Sequence, residues 1–104
     1  MSVNITVLHI ADCSNWALAL KRVEDAARTL GEDVSVSERL ISTPEEAEAW
    51  SFAGSPTVLL DGVDMFPAVD RTRDLACRLY ATPSGLRGAP TIGQIQEKLD
   101  AHAR

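Results

Sequence analysis

Residues Val3 to Ile10 read Val-Asn-Ile-Thr-Val-Leu-His-Ile, rich in β-branched side chains and apolar on both faces past Ile5. That pattern predicts a central strand covered on both sides. Ala11-Asp12-Cys13-Ser14-Asn15 is a polar break. Trp16, Leu20, Val23, Ala27 and Leu30 then recur at helical spacing, with Gly31 as the stop. Val34 to Ile41 opens with Val34 and Val36 alternating against Ser35 and Ser37, which predicts a second strand parallel to the first across a helical crossover. Thr43-Pro44-Glu45-Glu46 is a helix start with a capping box, and the helix is expected to run to about Phe52, with Ala47 and Trp50 inward and Gly54 at its end. Thr57 to Leu60 is a short buried strand, followed by the turn pair Asp61-Gly62. The next strand-like run is Cys77-Arg78-Leu79-Tyr80, so residues 63–76 are expected to form a long connection, part of it a helical turn. Thr82 to Pro90 is expected to be a loop. Thr91 to Ala103 is the final helix, capped by Thr91 and Gln94 and striped by Ile92, Ile95 and Leu99.

The expected architecture is α/β, with element order β-α-β-α-β-β-α and a mixed four-stranded sheet. A length of 104 residues suits one domain, and 45% hydrophobic with 24% charged residues is globular rather than disordered, collagenous or coiled-coil. Fifteen acidic against ten basic side chains give a net charge of -5, which argues against a nucleic-acid partner. Residues 1–60 hold nine acids and four bases, while the arginines Arg71, Arg73, Arg78 and Arg87 come later. Solvated helix faces are the favoured reading of those arginines over an anion site. No apolar run nears the roughly 18 residues of a membrane helix, and the first residues lack the basic start and apolar stretch of a signal peptide. The expectation is a cytoplasmic protein without a membrane partner. Two cysteines, Cys13 and Cys77, are too few for a disulfide scaffold. No ligand pair among Cys13, Cys77 and His9 has zinc-like local spacing, and no metal or cofactor is expected.

Three marks carry a resemblance. Cys13-Ser14-Asn15-Trp16 lies between the first strand and first helix, Ser55-Pro56-Thr57 opens the third strand, and Gly88 precedes the last helix. In order and punctuation the chain resembles the thioredoxin superfamily over nearly its whole length, which implies a three-layer fold and a cis Pro56. Asp12-Cys13-Ser14-Asn15-Trp16, Gly54-Ser55-Pro56-Thr57-Val58, Asp61-Gly62-Val63-Asp64, Cys77-Arg78-Leu79-Tyr80 and Gly88-Ala89-Pro90-Thr91 also resemble a small bacterial group of single-domain thioredoxin-like proteins. Members of that group can carry selenocysteine at the redox position, and some are labelled as related to organomercurial lyases. Ser14 and Met65-Phe66 depart from that group, which favours Pro after the first Cys and Pro-Phe after Asp-Gly-Val-Asp.

The resemblance makes Cys13 the candidate catalytic residue. A thiol attacks only as thiolate, and the free N–H groups and dipole at a helix N-terminus stabilise one. Asp12 opposes this by charge. Pro56 is expected to lie beside the sulfur and leave the Ser55 backbone open for an extended substrate. Ser14 and Trp16 flank the thiol, and Arg87 and Gly88 are expected to approach it from the loop before the last helix. Trp16 stands where the superfamily has its resolving cysteine, which leaves one-cysteine chemistry: a mixed disulfide with a small thiol, or a sulfenate formed by peroxide. Pairing Cys77–Tyr80 with Thr57–Leu60 puts Cys77 roughly 10 Å from Cys13, beyond the reach of a disulfide. Cys77 is accordingly a possible second thiol but more readily plain core. His9 is expected to be a satisfied core histidine, and Trp16 and Trp50 core aromatics. Met65 and Phe66 are either a lid or anchors of a long loop. The leading function is a thiol-dependent redox protein acting on an unidentified disulfide or partner protein. Its rivals are a redox-inactive binding module and an organomercurial-lyase-like protein, the last needing several cysteines and an acid around one metal atom, for which Asp12 adjoins Cys13 but Cys77 is expected to lie too far away.

Overall fold

Continuous apolar patterning sends strand β1 (Val3–His9) through the middle of the molecule in the computed structural model, which describes residues 3–30, 34–67 and 75–103. Val3, Ile5 and Val7 face one hydrophobic cluster, while Leu8 and Ile10 face another. Helix α1 (Asn15–Leu30) lays Ala19, Val23 and Ala26 on the first cluster, where Ile95 and Leu99 of helix α3 (Ile92–Ala103) join them. The second cluster gathers Leu8, Ile10, Cys13 and Leu59 with Ile41, Phe52 and Ala47 of the short helix α2 (Pro44–Ala49). The sheet is therefore packed on both faces.

Strand β2 (Val34–Leu40) pairs parallel to β1, from Val3 opposite Val34 to His9 opposite Leu40. Strand β3 (Thr57–Leu60) runs antiparallel on the other side of β1, and all its residues are buried. Strand β4 (Val63–Asp64) pairs antiparallel with β3, giving the order β2-β1-β3-β4. The described chain is thus a mixed α/β structure with a four-stranded mixed sheet and three helices. Among the described residues no helix is long and apolar enough to cross a membrane.

The fourth strand is not the expected one. Asp61 and Gly62 both take positive φ, 50° and 85°, the backbone of a tight two-residue hairpin, so the chain returns at once as β4. Residues Cys77 to Leu79 do not join that sheet as a strand. Tyr80–Thr82 instead forms strand β5, paired with strand β6 (Gly85–Arg87) inside the segment expected to be a loop. Helix α2 is also shorter than expected, since Trp50 caps it and Ser51 turns left-handed at φ 58°. The Thr43 cap itself is as expected, with its hydroxyl accepting from the Glu46 N–H at 3.1 Å. Thr91 and Gln94 form the corresponding reciprocal pair at the start of α3. Arg71 and Arg73, and most of the expected helical turn, lie outside the described residues.

Candidate functional site

Cys13 sits two residues before the start of α1 at Asn15, with its own N–H bonded to the Ile10 carbonyl at 3.3 Å. It is 2% exposed. Its Sγ lies 3.5 Å from the carbonyl oxygen of Ser55, the residue joined to Pro56 by a cis peptide bond. Ser55 is fully buried and ties the site to β1 through its hydroxyl, which accepts from the Ile10 N–H at 3.2 Å. The expected juxtaposition of Cys13 with the Ser55-Pro56 turn is thus present.

Cys77 is where the structure departs most from expectation. It forms a parallel bridge with Ser55: the Ser55 N–H donates to the Ala76 carbonyl and the Arg78 N–H donates to the Ser55 carbonyl, each at 2.8 Å. The pairing that put Cys77 beside Leu60, remote from Cys13, is therefore wrong. β4 occupies that edge of β3, and Cys77 belongs to a strap laid against the turn ahead of β3. Its backbone therefore brackets Ser55, the residue whose carbonyl also receives the Cys13 Sγ. Both cysteines are free thiols, Cys13 buried and Cys77 exposed.

These contacts push the thiols in opposite directions. Burial raises the Cys13 thiol, but it is outweighed by hydrogen bonds from Cys77, from Ser55 and from the backbone and side chain of Asn15, which bring it below the ordinary thiol value. The Cys77 thiol is held above that value by its bond to Cys13, by burial, and by the negative charge of Cys13 and Asp12. The charge of Asp12 thus raises Cys77, and the groups that shift Cys13 do not include it.

The strap is held by a buried anchor. Arg78 Nη1 donates to Asp64 Oδ2 at 2.9 Å, with side-chain exposures of 9% and 2%. Its Nη2 donates to the Phe66 carbonyl, and its guanidinium stacks 4.5 Å from the Tyr80 ring centroid. Tyr80 donates its hydroxyl to the Pro56 carbonyl and meets Phe66 edge to face at 5.5 Å. Gly54, at φ 97°, lets the strap approach this closely, because a Cβ there would lie 2.7 Å from Arg78 Cβ. Met65 is 4% exposed and packs in the α1–α3 cluster, so Met65 and Phe66 are anchors, not a lid.

The remaining predicted site residues divide. Gly88 meets Asn15, whose amide nitrogen lies 2.2 Å from where a Gly88 Cβ would stand. Gly88 therefore leaves room for the side chain of Asn15, a group that lowers the Cys13 thiol and opens the helix behind the cysteine, though its role was not legible in the sequence. Trp16 stacks on His9, ring centroids 4.0 Å apart. Ser14 is exposed. Arg87 is also exposed and turns onto its own hairpin, donating to the Leu86 carbonyl at 2.8 Å, so the groups that shift Cys13 do not include it. His9 is only half satisfied: Nε2 pairs with Glu38, while the buried Nδ1 has no hydrogen-bond partner among the described residues. Arg39 covers the half-buried Trp50 at 4.5 Å.

No model of a known protein family matches the chain, and no curated protein is recognisably similar to it in sequence.

Proposed function

We propose that the protein is a thioredoxin-like thiol-disulfide redox protein with Cys13 as its stabilised thiolate. The sheet order β2-β1-β3-β4 and its strand directions, with the cysteine between β1 and α1 and the Ser55-Pro56 turn before β3, support the thioredoxin-like part of that reading. The observation that carries the chemistry is the set of donors around one sulfur: Cys77, Ser55 and Asn15 all lower the Cys13 thiol despite its burial. A redox-inactive binding module has no use for a stabilised thiolate, which favours redox work over that alternative. The position of Cys77 changes the expected chemistry from one cysteine to a couple. The reading is tested by following reduction of a small disulfide by dithiothreitol with catalytic amounts of protein. Cys13→Ala is expected to slow it by roughly tenfold or more; an unchanged rate refutes the assignment.

One observation also favours a second reading, the organomercurial-lyase-like one. Cys77 and Cys13 both meet Ser55, so the separation of the two cysteines no longer counts against that reading. Among the described residues no group of three or more His, Cys, Asp or Glu side chains is placed to hold a metal. A soft cation would therefore be held by the two sulfurs alone. Retention of tight mercury binding by Cys77→Ser removes this reading.

A further inference from the structure

We propose that Cys77 is the sulfur through which external thiols and disulfides enter, with Cys13 the internal partner that closes and opens a Cys13–Cys77 disulfide. The inference rests on the redox reading of Cys13 and assigns its partner and its substrate class. Three observations meet here. Both cysteines are held against one residue, because Ser55 pairs with the backbone on both sides of Cys77 and takes the Cys13 Sγ on its carbonyl. Cys77 is exposed, whereas Cys13 is 2% exposed, so an incoming molecule meets Cys77 first. The N–H and carbonyl of Ser55 that an extended peptide would pair with are already taken by Ala76 and Arg78. The substrate class is accordingly a low-molecular-weight thiol or disulfide, which needs only the exposed sulfur.

The oxidising direction balances in two steps. The Cys77 thiol loses its proton to solvent and its sulfur attacks one sulfur of a small disulfide, forming Cys77–S–S–R and expelling the other half as thiolate. The Cys13 thiolate then attacks Cys77 Sγ, forming the internal disulfide and expelling the second thiolate. The protein loses two electrons, and the small disulfide becomes two thiols. In reverse, a small thiolate attacks the exposed Cys77 sulfur and Cys13 departs as thiolate. That division matches the chemistry of exchange, in which a stabilised thiolate is the faster leaving group and access decides which sulfur is attacked.

The experiment treats reduced full-length protein with glutathione disulfide and reads adducts by mass spectrometry and peptide mapping. Wild type is expected to pass through a transient adduct on the Cys77 peptide and end as the internal disulfide with no glutathione attached. Cys13→Ser is expected to stop at a stable adduct on Cys77. Cys77→Ser is expected to be modified at Cys13 roughly tenfold or more slowly. A transient wild-type adduct on Cys13, or equal rates in the two variants, overturns the entry role while leaving the redox reading standing. Failure of wild type to form any internal disulfide overturns both. The wild-type time course decides the matter even if a variant fails to fold.

Discussion

The Arg78–Asp64 anchor gives the sharpest test of how the site is built. Asp64→Asn keeps the size of the side chain and an oxygen to accept the Phe66 N–H, which Asp64 Oδ1 now takes at 2.9 Å. It removes the charge opposite Arg78 Nη1 in a pair whose side chains are 9% and 2% exposed. Breaking such a pair from one side leaves a buried cation without its counter-charge, at a cost of about 3–5 kcal/mol. The Phe66 carbonyl and the Tyr80 ring still face the guanidinium, so the lower end, about 3 kcal/mol, is expected. For a chain of this size that lowers the melting temperature by roughly 12–24 °C. Urea titration measures it directly, and an unchanged slope would show that the unfolded state is not the cause. The loss should be insensitive to salt, since the pair is out of reach of mobile ions. The double variant Asp64→Leu with Arg78→Met should recover much of it, because buried pairs are often replaceable by apolar residues at little cost. Strap detachment should also expose Cys13 and speed its alkylation. A loss for Asp64→Asn below about 1 kcal/mol, the range of surface ion pairs, refutes the anchor.

Three further outcomes follow from the same contacts. Gly88→Ala is expected to displace Asn15, whose amide nitrogen leaves only 2.2 Å for a Cβ, and to raise the Cys13 thiol by removing one of its donors; titration of thiolate absorbance reads this, and no upward shift counts against the Gly88–Asn15 link. Tyr80 is the sole tyrosine, and burial, only partly offset by the charge of Arg78, pushes its hydroxyl far above the usual value. Between the ordinary value of 10.0 and its raised one the folded state binds the extra proton, so stability falls as pH rises through that window; tyrosinate absorbance should appear only as the chain unfolds, and its appearance in folded protein refutes the burial argument. Cys13 has the opposite sign: its thiol is depressed on folding, so its contribution is complete above the ordinary thiol value of 9.0 and is lost as pH falls through the folded value, which Cys13→Ala should flatten in denaturation measured across that range.

What the chain made legible follows the range of the interactions involved. The β-branched apolar run of Val3 to Ile10, the Thr43 and Thr91 capping boxes and the apolar stripe of α3 are local signals, and each element formed where they stood. The Asp61-Gly62 turn was also a local signal, and it asked for an immediate return strand. Cys77–Tyr80 has the higher β propensity, but turn chemistry prevails, since Val63-Asp64 needs only two residues to pair with β3. With that edge filled, Cys77 is left to pair with Ser55 instead of Leu60. The anchor was hidden for a different reason. Asp64 stands in the expected 63–76 connection and Arg78, 14 positions on, in the strand-like Cys77–Tyr80 run, and nothing in a charge pattern distinguishes a buried ion pair from two solvated side chains.

The anchor also decides what can approach the thiols. An extended partner pairing with Ser55 must first remove the strap, and with it the hydrogen bonds from Ser55 to Ala76 and from Arg78 to Ser55. A partner that replaces those two bonds gains nothing from them, since they are exchanged like for like. It gains no strand either, because β4 already pairs with β3 on the edge away from β1. Pulling Arg78 away from Asp64 adds a cost of about 3 kcal/mol that no backbone pairing repays. The same displacement would carry Cys77 off the Cys13 sulfur, removing the first hydrogen bond among those that lower that thiol. Strand addition at Ser55 therefore weakens the thiolate it would be recruiting, whereas a small thiol or disulfide reacting at the exposed Cys77 leaves the strap and its Arg78–Asp64 anchor in place.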